Sequence, residues 1–203
     1  MRPRRHLVIF ARRPALGRVK RRLGGDIGAV AATRFHRLCL DAAVRRLSGD
    51  RRWRTWLALT PDRSVPSRMA PERIIAQGAG DLGDRMARTL RRFAPAPVII
   101  VGSDIPGVRA DDVARAFRSL AARLLVLGPA PDGGYWLIGW SGRRPLPRGA
   151  LQDVRWSSDE TLADTLRSFG ADESAILPDP LEDVDNGDAY ARWWPKLHQH
   201  RRR

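Results

Sequence analysis

Cysteine is almost missing from this chain: among 203 residues only Cys39 is one. A single thiol excludes an intrachain disulfide and any multi-thiolate metal site. It lies in F-H-R-L-C-L, a helical stretch, where a buried thiol is the default and a nucleophile the exception. Lysine is nearly absent as well. Lys20 and Lys196 are the two lysines among 37 basic residues, so the other 35 are arginine. No apolar run reaches 18 residues, so no membrane insertion is expected. The start, M-R-P-R-R-H-L-V-I-F-A, is basic, but its apolar part is too short for a signal peptide and runs into Arg12, Arg13 and Pro14. It reads as the first strand of a cytoplasmic protein.

Several motifs are missing too. The loop after that first strand carries no G-x-G-x-x-G and no G-x-x-x-x-G-K-[ST], which argues against a dinucleotide-binding site and a P-loop. No serine has nucleophile-elbow context, and the four histidines do not cluster. There is no internal repeat, no low-complexity tract and no recognisable nucleic-acid module. The net charge of +15 attracts anions over the whole surface. Because the arginines are spread along the chain, nucleotides are expected as partners and nucleic acid is not.

The length fits one domain over residues 1–203. Leu7–Ala11, Trp53–Thr60, Pro97–Val101, Leu124–Leu127 and Tyr135–Trp140 read as strands, with a short one at Arg73–Ala76. Ile27–Leu47 has apolar or small residues at helical spacing, with Asp26 placed to cap it. Asp81–Phe93, Arg109–Leu120, Ser158–Phe169 and a short Ala189–Leu197 read as further helices. Arg12–Gly25, Pro61–Pro71, Ser141–Gly149 and Leu181–Asp188 read as loops, the last acidic. Alternating helices and fully apolar strands predict a three-layer α/β sandwich around a mostly parallel sheet.

Ligands collect at the carboxyl ends of parallel strands, and the chemistry-bearing residues fall there. V-I-I-V-G-S-D-I-P ends a strand on Asp104. A carboxylate at that point suits a hard cation, Mg2+ or Mn2+, which takes oxygen ligands and bridges phosphates. A turn cap is the alternative. Asp183 and Asp185, in L-E-D-V-D-N-G-D, are its natural partners, since residues i and i+2 of an extended segment point the same way. A solvated acidic loop is the alternative. The first loop offers Arg12, Gly17, Lys20, Arg21 and Arg22. Glycine permits close backbone approach, lysine is a point charge, and arginine is a bidentate fork for phosphate. Gln77 and Arg85 flank the next loop; a salt bridge from Arg85 to Asp81 competes with phosphate contact. Asp132-Gly133-Gly134-Tyr135 is a tight turn in which Asp132 either acts as a base or closes an Asx turn. Trp156-Ser157-Ser158 precedes a helix, with Ser158 as its cap or as an anion contact. Trp136 is expected in the core. Trp193-Trp194 fits a homodimer contact or packing of the last helix.

Taken in order, F-A-R-R-P-A-L-G-R-V-K-R-R-L, Q-G-A-G-D-L-G-D-R-M, V-G-S-D-I-P-G, L-G-P-A-P-D-G-G-Y-W-L-I-G, V-R-W-S-S and D-V-D-N-G-D resemble the DUF2064 proteins. That family is described as glycosyltransferase-like, "transferase 1" associated with radical-SAM or selenocysteine-containing systems. The blocks cover nearly the whole chain. The resemblance implies a GT-A-like nucleotide-diphospho-sugar transferase fold, related to small nucleotidyltransferases. It implies nucleotide contact by the first loop and the loop near Gln77, metal contact by Asp104 and Asp185, and an acceptor side at Gly133, Gly134, Tyr135, Trp156 and Ser157. Arg21 stands where the family usually has threonine, and the family's W-S-T and S-D-C-P are here W-S-S and S-D-I-P. No essential residue is lost.

Three functions compete. The first is metal-dependent transfer of a glycosyl group from a nucleotide-diphospho-sugar to a small-molecule acceptor. The second is nucleotidyl transfer from an NTP with release of pyrophosphate. The third is a non-catalytic basic nucleotide- or RNA-binding protein.

Overall fold

A computed structural model describes residues 4–61, 74–170 and 173–199. The strands are β1 (His6–Arg12), β2 (Arg54–Thr60), β3 (Ile74–Ala76), β4 (Val98–Gly102), β5 (Leu125–Pro129), β6 (Tyr135–Trp140) and β7 (Ser174–Ile176). The helices are α1 (Arg21–Ile27), α2 (Ala29–Ser48), α3 (Leu82–Arg92), α4 (Ala110–Ser119), α5 (Thr161–Phe169) and α6 (Gly187–Gln199). The strands form one sheet in the order β3-β2-β1-β4-β6-β5-β7. Every neighbouring pair is parallel except those made by β6, which runs antiparallel to β4 and β5.

The period of two along the strands sorts the core into two layers. Leu7, Ile9, Leu57, Leu59, Ile99 and Val101 face α2 and α4, where Leu40, Leu47, Val113 and Phe117 cover them. Val8, Ala58, Val98, Ile100, Leu127 and Ile138 face the other way, against Met86 and Leu90 of α3 and the apolar side of α5. The three-layer sandwich is therefore present. Gly139 of β6 is required by this packing, since a Cβ there would press on Val126 and Ile99.

A third, smaller cluster corrects the expected first loop. Residues Arg21–Ile27 are helical because Leu23 is fully buried with Phe35, Cys39 and Val184, and that burial outweighs the local Gly24-Gly25. Gly28, at φ 84, separates α1 from α2, so the long helix starts at Ala29. Asp26 does not cap it; its carboxylate accepts from the Gly187 amide at 2.8 Å. The α5 helix starts later than expected, at Thr161, and Ser158 instead accepts from the Glu160 amide in the turn before it. The β7 strand was not expected. It is three residues long and carries no apolar run to announce it. Past Pro61, the loop expected at Pro61–Pro71 lies outside the described residues, as does the start of the strand expected from Arg73. Among the described residues, no helix is long and apolar enough to cross a membrane. Trp193 and Trp194 are half-buried within the chain. Tyr190 stacks on Trp194 at 5.0 Å, and the Trp193 indole donates to Glu182 at 2.9 Å.

Candidate active site

Because β6 runs against its neighbours, its first residue lies at the same end of the sheet as the last residues of β1, β2 and β4. That end gathers the first loop, Asp104 and the Asp132–Tyr135 turn. The Asp104 loop is held from two sides. The Ser103 amide donates to the Phe10 carbonyl at 3.1 Å, and the Val184 amide to the Asp104 carbonyl at 3.3 Å. From α2, Arg46 donates to the carbonyls of Pro106 and Val108 at 2.8 and 2.6 Å.

These ties bring Asp104, Asp183 and Asp185 together. One carboxylate oxygen from each lies within 4.8 Å of the others. Between them sits the Lys20 ammonium, 2.6 Å from Asp104 Oδ2, 2.6 Å from Asp185 Oδ1 and 3.5 Å from Asp183 Oδ2. The Lys20 side chain is only 5% exposed. Burial pulls its pKa down, but the three carboxylates overcome this and hold it above its usual value. Burial pushes Asp104 up, and Lys20 more than offsets that, leaving it below the ordinary carboxylate range. Asp183 behaves differently. Burial, with Asp185, Asp104 and Asp132 adding to it, raises its pKa to about 6 against the pull of Lys20. A set of three oxygen donors that stays negative even with an ammonium among them fits a hard divalent cation.

Two cavities meet at this cluster. The larger, about 680 Å3, is basic; Arg12, Arg18, Arg21, Arg22 and Arg85 line it with Lys20. The smaller, about 300 Å3, is aromatic and apolar, with Phe10, Leu82, Met86, Tyr135 and Trp156 in its wall. Asp104, Asp185 and Arg22 belong to both. The expected nucleotide residues thus divide. Arg12, Arg22 and Arg85 face the basic cavity, whereas Gly17 is exposed and lines neither. Gln77 is buried and its amide donates to the carbonyls of Ala11 and Ala58 at 3.1 and 2.8 Å, tying β1 to β2. Arg85 donates to the Gly80 carbonyl at 2.9 Å, while Asp81 caps α3. On the other side, Asp132 lines the aromatic cavity and closes an Asx turn, accepting from the Gly134 amide at 3.0 Å. Gly134, Tyr135, Trp156 and Ser157 line the same cavity, whereas Gly133 serves the turn. Tyr135 has its hydroxyl 3.5 Å from Thr165 and is raised in pKa by burial.

Two residues of this region escaped the sequence reading. His36, on α2, borders the basic cavity, and its Nε2 donates to the Arg12 carbonyl at 2.8 Å; burial lowers its pKa. A lone histidine in a helix carries no signal of this. Asp164 is the second. It binds the Arg155 amide at 3.0 Å and the guanidinium at 2.9 Å, and Arg167 pairs with it as well, so it clamps the loop that presents Trp156. The spacing of Arg155 and Asp164 gives no motif.

Two expectations follow here. Hydrogen bonds from Arg155 hold Asp164 well below the usual carboxylate range. Its contribution to stability is therefore complete above the pKa of an unstructured aspartate, about 3.9, and is lost as pH falls through the folded value. The gap between the urea midpoints of wild type and Asp164→Asn should be constant from pH 7 down to about pH 4 and narrow progressively below it; a gap that stays constant at lower pH contradicts this. Cys39 is 2% exposed, and burial, reinforced by Asp104, pushes its thiol up to about 12. Titration with a thiol reagent at pH 8 should give no reaction until denaturant is added.

Comparison with known proteins bears on family and fold. A family model described as "Uncharacterized protein conserved in bacteria (DUF2064)" matches residues 43–158. No curated protein matches the chain. Among solved structures, a Desulfovibrio desulfuricans G20 protein described provisionally as a nucleotide-diphospho-sugar transferase is 24% identical, with a TM-score of 0.77 over 98% of each chain. Rv0371C from Mycobacterium tuberculosis H37Rv, in complex with manganese, is 19% identical (TM-score 0.53, 95% of this chain and 98% of that one). A 4-diphosphocytidyl-2C-methyl-D-erythritol synthase from Anaerococcus prevotii DSM 20548 is 12% identical (TM-score 0.59, 96% of each). The fold is that of the GT-A-like nucleotide-sugar and nucleotidyl transferases.

Proposed function

Since the chain belongs to the DUF2064 family, and since its acidic cluster joins a basic cavity to an aromatic one, we propose that it is a metal-dependent transferase acting as one domain. It moves a glycosyl group from a nucleotide-diphospho-sugar to a small acceptor. The observation that carries this reading is the junction. Donor phosphates would lie among the arginines of the larger cavity, and the acceptor against Trp156, Tyr135 and Met86 in the smaller. Asp104 and Asp185, joined by Asp183, would hold the cation, Mg2+ or Mn2+. When bound, that cation neutralises charge on the departing diphosphate. The manganese complex of Rv0371C supports the choice of ion.

The chain's own residues do the rest by position and charge. Arg22 borders both cavities and so faces the bond between donor phosphate and transferred group. An acceptor oxygen attacks the anomeric carbon, the bond from that carbon to the diphosphate oxygen breaks, and a nucleoside diphosphate leaves. The acceptor proton goes to Asp132, the carboxylate on the acceptor wall. The apolar lining keeps water from competing as acceptor.

Nucleotidyl transfer is a second reading, favoured by the size and arginine content of the basic cavity, which suit a triphosphate. There the acceptor oxygen attacks the α-phosphorus and pyrophosphate leaves. The test is a panel of nucleotides and nucleotide-sugars, with and without Mn2+. Metal-dependent binding of one donor, followed by release of nucleoside diphosphate, supports glycosyl transfer; release of pyrophosphate supports the second reading. No donor binding to folded protein overturns both and favours a basic adaptor. Such an adaptor would bind polynucleotide with steep salt dependence.

A further inference from the structure

Lys20 was expected on a donor phosphate, yet its ammonium lies among the acids. The three carboxylate oxygens that could hold a cation all lie within 4.8 Å of one another, and Lys20 Nζ is already 2.6, 2.6 and 3.5 Å from three of the cluster's oxygens. An ion bridging the three acids would need the place that the ammonium fills. Both cannot be there together.

We infer that Lys20 is an exchangeable counter-ion: it holds the acidic cluster until a divalent cation replaces it, and it then moves to a phosphate of the donor. The inference rests on the metal-dependent reading above and deepens it, because it makes the substrate a cation–diphosphate or cation–triphosphate pair and not the free anion.

Three observations carry it. The first is charge. Three carboxylates against one ammonium leave the cluster with two negative charges, so a divalent ion balances it better than lysine does. The second is access. The lysine side chain is 5% exposed, but the side chains of Asp104, Asp183 and Asp185 are 30, 37 and 45% exposed. They are open from the cavity side, from which an ion would arrive. The third is destination. Lys20 borders the basic cavity, together with Arg21 and Arg22. A four-carbon stem lets the ammonium move by rotamer changes while the backbone stays in place. Released there, it adds a positive charge beside the donor phosphates. Cation and phosphate would then bind with mutual reinforcement, since each favours the same position of Lys20.

The chain supplies its own reporter. Its only other lysine, Lys196, is exposed on α6. Wild-type protein is treated with an amine-acylating reagent, with and without saturating Mn2+, and the peptides are read by mass spectrometry. Lys20 should be protected relative to Lys196 without the ion and become labelled with it. In parallel, Mn2+ alone is titrated into wild type and Lys20→Met, with free Mn2+ followed by EPR. Removing a close positive charge and a competitor should tighten Mn2+ binding by about tenfold or more.

Mn2+ binding that is equal or weaker in Lys20→Met, or protection of Lys20 that persists at saturating Mn2+, overturns the exchange while leaving the metal site standing. Absence of Mn2+ binding in both proteins overturns the metal-dependent reading, and the exchange with it. The labelling arm uses wild type only, so it holds even if the variant fails to fold.

Discussion

Asp104→Asn is expected to abolish Mn2+ binding at the cluster and to lower the transfer rate by more than about 100-fold. Loss of residues that merely orient metal ligands costs about 10- to 100-fold, and Asp104 is a proposed ligand. The side chain sits immediately beyond β4, between the basic and aromatic cavities, so a neutral amide there weakens the cluster where donor and acceptor would meet. Asparagine keeps the shape, and Lys20 keeps Asp185 as a partner at 2.6 Å. The fold should therefore survive, which a thermal melt checks. The measurement is Mn2+ titration and single-turnover transfer on the folded variant. Wild-type affinity and rate would remove Asp104 from the site.

Gly133→Ala is expected to be the most damaging small substitution near the acceptor cavity. Gly133 has φ +81, and a Cβ there would run into the backbone of Asp159. The close approach is purposeful, since the Leu162 amide donates to the Gly133 carbonyl at 2.9 Å and so joins the turn to α5. Left-handed strain and forced overpacking each cost about 1–3 kcal/mol, so the sum is about 3 kcal/mol or more. For a chain of this size that lowers the melting temperature by about 6–12 °C. Gly17→Ala is the control. Its φ is +69, but a Cβ there would meet nothing within 4 Å, so only strain remains, about 1 kcal/mol. Equal melting temperatures for the two variants would refute the role given to the Asp159 contact.

How far the sequence could be read follows from the range of the forces involved. The β4 and β6 strands are fully apolar runs bounded by glycine or turn residues, and hydrophobic periodicity is a local signal. Helix α3 announces itself through Asp81, whose capping box is also local. Helix α1 does not, because Leu23 is helical on account of partners outside its own segment, Phe35 and the far more distant Val184 among them. The acids of the cluster were legible one by one at strand and loop ends. Their meeting with Lys20 was not, since the sequence offered the lysine as a phosphate ligand and only the fold brings residue 20 to residue 185. Asp164 was hidden for the same reason. Gln77 was legible as a conspicuous polar residue after a strand, but whether its amide faces a ligand or two carbonyls depends on the spacing of β1 and β2.

The reversed strand has one more consequence, for how this chain tolerates changes in length. β6 begins beside the acids and ends at Trp140, at the opposite end of the strands. The exposed turn around Arg143 and Arg144 therefore lies a full strand length from the chemistry. Residues added there should pass unnoticed, and the activity of such an insertion variant would show it. One residue added between Pro131 and Gly134 is another matter. The pairing of Val101 with Leu137 fixes the strand itself, so the extra length would be taken up by the turn, and the Asx turn that places Asp132 would be broken. The ladder thus works as a ruler: it sets the distance between the end of β4, before Asp104, and the start of β6, after Asp132, and the loops inherit that distance instead of choosing it.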